Sequence, residues 1–191
     1  QFPEADLTLL ADDPAFACLS DYRFTAFSME PSALAFQKTL IAEHKPRVIV
    51  EFGSGLSTAV LARAQRDARP GEDGLYYISV EQGEDYARDS LAMVKRAGLD
   101  HVRFFVAEMV PVKAHGVETR CYNLPPDYLE RTFDGAKADF VVIDGPVSGG
   151  PGGVPDARFP TIPLLRPVLA DGALICLDDA LRDMELRVAA R

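Results

Sequence analysis

Short unbroken apolar runs alternate along this chain with longer stretches in which apolar residues recur every three or four positions. Runs of the first kind mark strands buried on both faces, and stretches of the second mark helices with one buried stripe. Five runs qualify as strands: Arg47 to Phe52, Leu75 to Val80, His101 to Ala107, Asp139 to Ile143 and Gly172 to Leu177. A helix is predicted from Pro31, with Leu34, Leu40 and Ile41 on one face, ending by His44-Lys45-Pro46. Further helices are predicted over Ser57 to Ala68 and Glu84 to Ala97; the second has acids in its first turn, Lys95 and Arg96 in its last, and Gly98 just beyond. Two more are expected at Thr161 to Leu169, where Pro167 should kink or shorten the helix, and at Ala180 to Ala190. Strand and helix in alternation predict an α/β protein: a doubly wound, Rossmann-like, mostly parallel sheet in a three-layer sandwich. Residues Met109 to Lys137 break the pattern and read as an irregular insertion forming one wall of a pocket.

The first strand leads into Glu51-Phe52-Gly53-Ser54-Gly55-Leu56-Ser57-Thr58. Glycines in such a turn remove the Cβ atoms that keep a ligand away and allow positive φ, and Ser57 or Thr58 can cap the following helix. The second strand also closes on an acid, Glu81. A carboxylate there offers two acceptors to the two donors of a ribose diol. A nicotinamide-binding loop prefers a third glycine where Thr58 stands, and places its acid about 20 residues on. Glu81 lies 28 positions after Gly53.

These two strand-end acids with the Gly-x-Gly turn resemble the class I S-adenosylmethionine (SAM)-dependent methyltransferases. The resemblance implies a loop of Glu51, Gly53, Ser54, Gly55, Ser57 and Thr58 around the cofactor, Glu81 on its ribose, and Glu108 and Asp144 completing the cofactor site. It covers roughly Met29 to Arg191. The reaction implied is methyl transfer to a hydroxyl of a small molecule. The alternatives are a non-catalytic SAM-binding or scaffold domain and, more distantly, an NAD-dependent oxidoreductase.

Composition narrows the partners. The 191 residues with 48% hydrophobic content can bury one good core, so a single domain over residues 1–191 is expected, with an N-terminal extension at 1–28 and the insertion at 109–137. A formal net charge of −9, from 29 acids against 20 bases, argues against nucleic-acid and anionic lipid surfaces. Cys18, Cys121 and Cys176 are odd in number and widely spaced, which reads as reduced packing residues of a cytoplasmic protein. No apolar run is long enough to cross a membrane.

Acids also close the fourth and fifth strands, as Asp144-Gly145-Pro146 and Asp178-Asp179. Both should lie at one sheet edge, and three carboxylates together need a positive partner. A hard divalent cation such as Mg²⁺ is one solution. The arrangement resembles the metal-dependent O-methyltransferases, which implies Asp144, Asp178 and Asp179 as metal ligands and Asp144 and Asp178 as catalytic; the competing reading has these acids capping the next helix or their own turn. The loop Val147 to Pro155, rich in Gly and Pro, is placed to act as a lid or is merely a surface loop. Of the histidines, His44 and His101 should sit at the wrong edge, leaving His115 as a candidate base; Tyr122 and Tyr128 are candidates for lining a pocket. The family's sheet continues with a two-strand hairpin for which no residues remain after Arg191. Either a C-terminal segment is missing from this sequence or a partner, such as a second copy in a homo-oligomer, covers the fifth strand.

Overall fold

The computed structural model describes residues 28–148 and 152–190. Five parallel strands form the central sheet: β1 (Val48–Phe52), β2 (Tyr76–Glu81), β3 (Val102–Val106), β6 (Ala138–Ile143) and β7 (Leu169–Leu177). Their order is β3-β2-β1-β6-β7. The chain winds outward from β1 through β2 to β3, then returns to the other side of β1, so the switch point lies between β1 and β6. That is where the carboxyl ends of neighbouring strands leave a crevice.

Alternation along the strands sends side chains to two cores. Ile49, Tyr77, Val102, Phe140 and Val142 pack against helices α1 (Pro31–His44), α2 (Leu56–Ala68) and α3 (Glu84–Arg96) through Leu34, Ile41, Val60, Leu61 and Val94. Val50, Phe52, Ile78, Val80, Val141 and Ile143 face the other way, onto Tyr122, Leu124, Leu129, Phe133 and Leu165. Each such aliphatic side chain contributes roughly 1.5–3 kcal/mol on burial. Together they hold the five strand ends in one line.

Residues 109–137 are not the irregular insertion the composition suggested. They form an antiparallel hairpin, β4 (Met109–Ala114) and β5 (Val117–Tyr122), followed by α4 (Pro126–Thr132). The hairpin turns on His115 and Gly116, both with positive φ, which is the two-residue turn that suits right-twisted strands. Two helices are shorter than their sequence pattern. Pro167 ends α5 (Thr161–Leu165) in one turn of 3₁₀ helix at Arg166–Val168, and α6 starts only at Asp183, running to Ala189. Strand β7 is longer than expected because its register with β6 shifts between Ala138 and Phe140, where Gly172 takes positive φ. Residues 1–27, including Cys18 and nearly all of the proposed N-terminal extension, lie outside the described residues. Among the described residues no helix is long and apolar enough to cross a membrane.

Candidate active site at the switch point

The end of β1 threads between the ends of its neighbours. Gly53 N donates to Val80 O at 2.9 Å and Asp144 N donates to Phe52 O at 2.9 Å, so the ladders continue one residue past each strand. Gly53 takes φ +92°, and a Cβ on it would lie 3.1 Å from Gly145 N. A Cβ on Gly145 would run into the Tyr122 hydroxyl and lie 2.9 Å from Gly53 N. The two glycines therefore let the β1 and β6 exits touch. Gly55 behaves differently from the expectation: its φ of 170° is extended backbone, a Cβ there would meet nothing within 4 Å, and it does not line the cleft.

The cleft that opens at this point has a volume of about 760 Å³ and is lined by Gly53, Ser54, Glu81, Tyr122, Asp144 and Asp178, among others. Glu81 is its best-defined polar group. Its Oε2 accepts from Ser54 N at 2.8 Å and Ser54 Oγ at 3.0 Å; its Oε1 accepts from Gln82 N at 2.7 Å and Gly83 N at 2.8 Å. The carboxylate thereby joins the β1 loop to the β2 turn and keeps an edge toward the cleft. Volume, backbone access at Gly53 and this acceptor all fit a nucleoside-bearing cofactor.

Glu51 is not part of the cleft wall. It is fully buried, and its carboxylate accepts from Ser57 Oγ and Thr58 Oγ1, each at 2.6 Å. Thr58 Oγ1 in turn accepts from Gly55 N at 3.2 Å. Glu51, Ser57 and Thr58, read from sequence as touching the cofactor, are thus committed to one another and brace the loop from beneath. Burial pushes Glu51 up to about 7, against the pull of four hydroxyls, those of Ser57, Thr58, Ser79 and Tyr77. Glu108 is also displaced from its expected place: it is exposed just beyond β3, bonded through its carbonyl to Asn123 N, and does not line the cleft.

Asp144, Asp178 and Asp179 do converge, each offering a carboxylate oxygen within 4.8 Å of the others. Burial drives Asp144 well above the usual carboxylate range, with the Asp178 charge adding to it; Asp178 is raised by burial and then by Asp179. The competing expectation, capping of the last helix, does not describe them: the N-cap of α6 is Arg182, and its helix end has no side-chain cap. What sequence reading missed is Arg158, only 4% exposed, in the midst of the acids. Its Nη2 lies 3.3 Å from Asp179 Oδ2 and 3.6 Å from Asp144 Oδ1. A guanidinium therefore stands within 3.6 Å of two of the three carboxylates.

A sequence profile of the family described as "Methyltransferase domain" matches residues 50–180, from the centre of β1 to just past β7. The chain belongs to this methyltransferase family. It is of the class I, SAM-dependent kind, and its mostly parallel sheet flanked by helices is the fold of that class. No curated protein matches the chain in sequence. Solved structures share its fold. The O-methyltransferase from Bacillus cereus in complex with SAH is 19% identical with a TM-score of 0.64, over 98% of this chain and 82% of that one. A cofactor-bound protein from MTB is 22% identical with a TM-score of 0.60, over 100% of this chain and 84% of its own. The O-methyltransferase TomG from Streptomyces achromogenes, in complex with SAM, is 18% identical with a TM-score of 0.54, over 100% and 76%.

Within the methyltransferase domain the remaining candidates sort by position. Tyr122 lines the cleft and stacks on Phe52, with centroids 5.5 Å apart, whereas Tyr128 packs on Phe105 at 4.4 Å. His115 sits on the hairpin turn with its ring edge-on to Phe159 at 6.3 Å, outside the cleft. His44 ends α1, and His101, lowered to about 4 by burial and then by Arg66, lies at the opposite sheet edge. Cys121 is buried and pushed up to about 11, and Cys176 is raised by burial. The flanks of the candidate lid are anchored, Val147 O to Val154 N and Ser148 Oγ to Glu185 Oε1; residues 149–151 lie outside the described residues.

Proposed function

We propose that this methyltransferase transfers a methyl group from SAM to a hydroxyl of a small molecule held in the switch-point cleft. The observation that carries the reading is Glu81, a strand-end carboxylate beside the Gly53-Ser54 backbone with an edge on the cleft. All its acceptor positions are met by chain donors, so a ribose diol enters by displacing the Ser54 hydroxyl. That hydroxyl already accepts from Ser90 Oγ at 3.3 Å and keeps a partner once displaced, donating to Ser90 when that bond reverses. Gly53 and Tyr122 line the same cleft beside Glu81.

SAM, when bound, supplies an activated methyl group. The chain's contribution is to hold the acceptor oxygen in line with it, which removes most of the entropic barrier, and to take the acceptor's proton. Asp144 and Asp178 are our candidates for that proton transfer, since a close carboxyl pair that shares a proton keeps one ionised oxygen as a base. Relatives solved with SAM or SAH support the cofactor. Calorimetric titration with SAH and then with NAD tests the reading. It expects saturable one-to-one heat with SAH and none with NAD; the reverse pattern overturns it.

A further inference from the structure

The acid cluster contains a cation of its own. Arg158 lies in the segment that follows the Gly-Pro loop, and the fold buries it between the exits of β6 and β7. Its Nε donates to Pro146 O at 3.2 Å, Nη1 to Asp178 O at 3.0 Å and Nη2 to Asp144 O at 2.7 Å. The same group faces three carboxylates: Asp179 at 3.3 Å, Asp144 at 3.6 Å and Glu185 at 3.7 Å. Asp179 is engaged on both oxygens, because Arg182 Nη2 lies 2.6 Å from Oδ1.

We propose that Arg158 is the resident cation of this cluster, and that Asp144, Asp178 and Asp179 take no divalent ion. A hard cation there would place a second positive charge beside a guanidinium that cannot lose its proton and that already faces these carboxylates. Displacing Arg158 is no escape. It would leave the carbonyls of Pro146, Asp144 and Asp178 without the guanidinium donor and strip fully buried Glu185 of its cationic partner. Arg158 is instead a positioning residue that ties the β6 exit, the β7 exit and α6 into one frame and sets the spacing of the acids. This holds whether or not the cleft takes SAM.

Two readouts test it. The purified chain is titrated with Mn²⁺ at neutral pH while the free ion is followed by electron paramagnetic resonance, and its thermal unfolding is recorded with EDTA and with Mg²⁺. The expected results are no stoichiometric Mn²⁺ uptake at millimolar ion and an unfolding midpoint that neither reagent moves. One equivalent of Mn²⁺ bound by the wild type and lost in Asp178→Asn overturns the proposal. The second readout is Arg158→Met, expected to lower the midpoint strongly; failure to fold counts as that result, and Arg158→Lys then gives a graded, smaller drop. An unchanged midpoint in Arg158→Met also overturns it. SAH calorimetry on the wild type keeps the two readings apart, because absent SAH binding there would sink the methyl-transfer reading alone.

Discussion

Replacing Glu51 with Gln isolates the buried carboxyl beneath the glycine loop. In the folded chain this group is raised from 4.5 to about 7, chiefly by burial, so it holds a proton there that the unfolded chain has already released. A folded value above the unfolded one means that the associated stability is complete below about pH 4.5 and is lost as pH rises through 7. At about 1.4 kcal/mol per decade, the displacement amounts to roughly 3 kcal/mol. Gln keeps the size and one acceptor but cannot ionise. Its amide needs an acceptor among the hydroxyls facing it, Ser57, Thr58, Ser79 and Tyr77, the first two of which donate at 2.6 Å in the wild type; that rearrangement costs about 1 kcal/mol at every pH. Urea unfolding of both proteins at pH 5, 6.5 and 8 cancels the other titrating groups. The variant should be slightly less stable at pH 5 and more stable at pH 8, with the difference moving by roughly 2–3 kcal/mol in its favour. A difference that stays flat, or that moves toward the wild type, refutes the placement of Glu51 as a buried, proton-holding brace.

Other substitutions probe the loop and the cleft. Gly145→Ala should destabilise by roughly 3 kcal/mol or more, because the new methyl meets both the Tyr122 hydroxyl and the Gly53 backbone; adding Tyr122→Phe should recover only part of that in denaturant unfolding, since the backbone clash remains. Gly55→Ala, with extended backbone and open space at its Cβ, should leave stability within roughly 0.5 kcal/mol by thermal unfolding. Ser54→Ala removes the hydroxyl that competes for Glu81, and SAH affinity measured by calorimetry should change by less than roughly 1 kcal/mol.

What could be read from sequence was what the chain decides locally. β1, its turn and α2 follow one another, and the glycines, the apolar run and Glu81 at the end of β2 are visible as written. Glu51 was misassigned for a reason the strand itself contains. Alternation puts Val50 and Phe52 on one face and Ile49 on the other, and Glu51 shares the Ile49 face, beneath the first turn of α2 rather than toward the crevice. The hairpin left a trace too, in Val110 and Val112 facing Cys121 and Thr119 about His115-Gly116, but its Pro, Lys and Arg residues blurred the period. Arg158 left none. Its hydrogen-bond partners lie 12 to 21 positions away, on two strand exits that become neighbours only once β6 and β7 pair. A lone Arg beside a Gly-Pro loop reads as a surface residue until that pairing is known.

The most direct test of the methyl-transfer account is SAH binding to Glu81→Ala, measured by calorimetry on protein whose circular dichroism matches the wild type. The carboxylate is the acceptor assigned to the ribose, and it also joins Ser54 to the Gln82-Gly83 turn. Affinity should fall by roughly 1.5–3 kcal/mol, the range for a hydrogen bond to a charged group, with Glu81→Gln losing less because it keeps one acceptor. Wild-type affinity in a correctly folded Glu81→Ala would contradict the account at its centre.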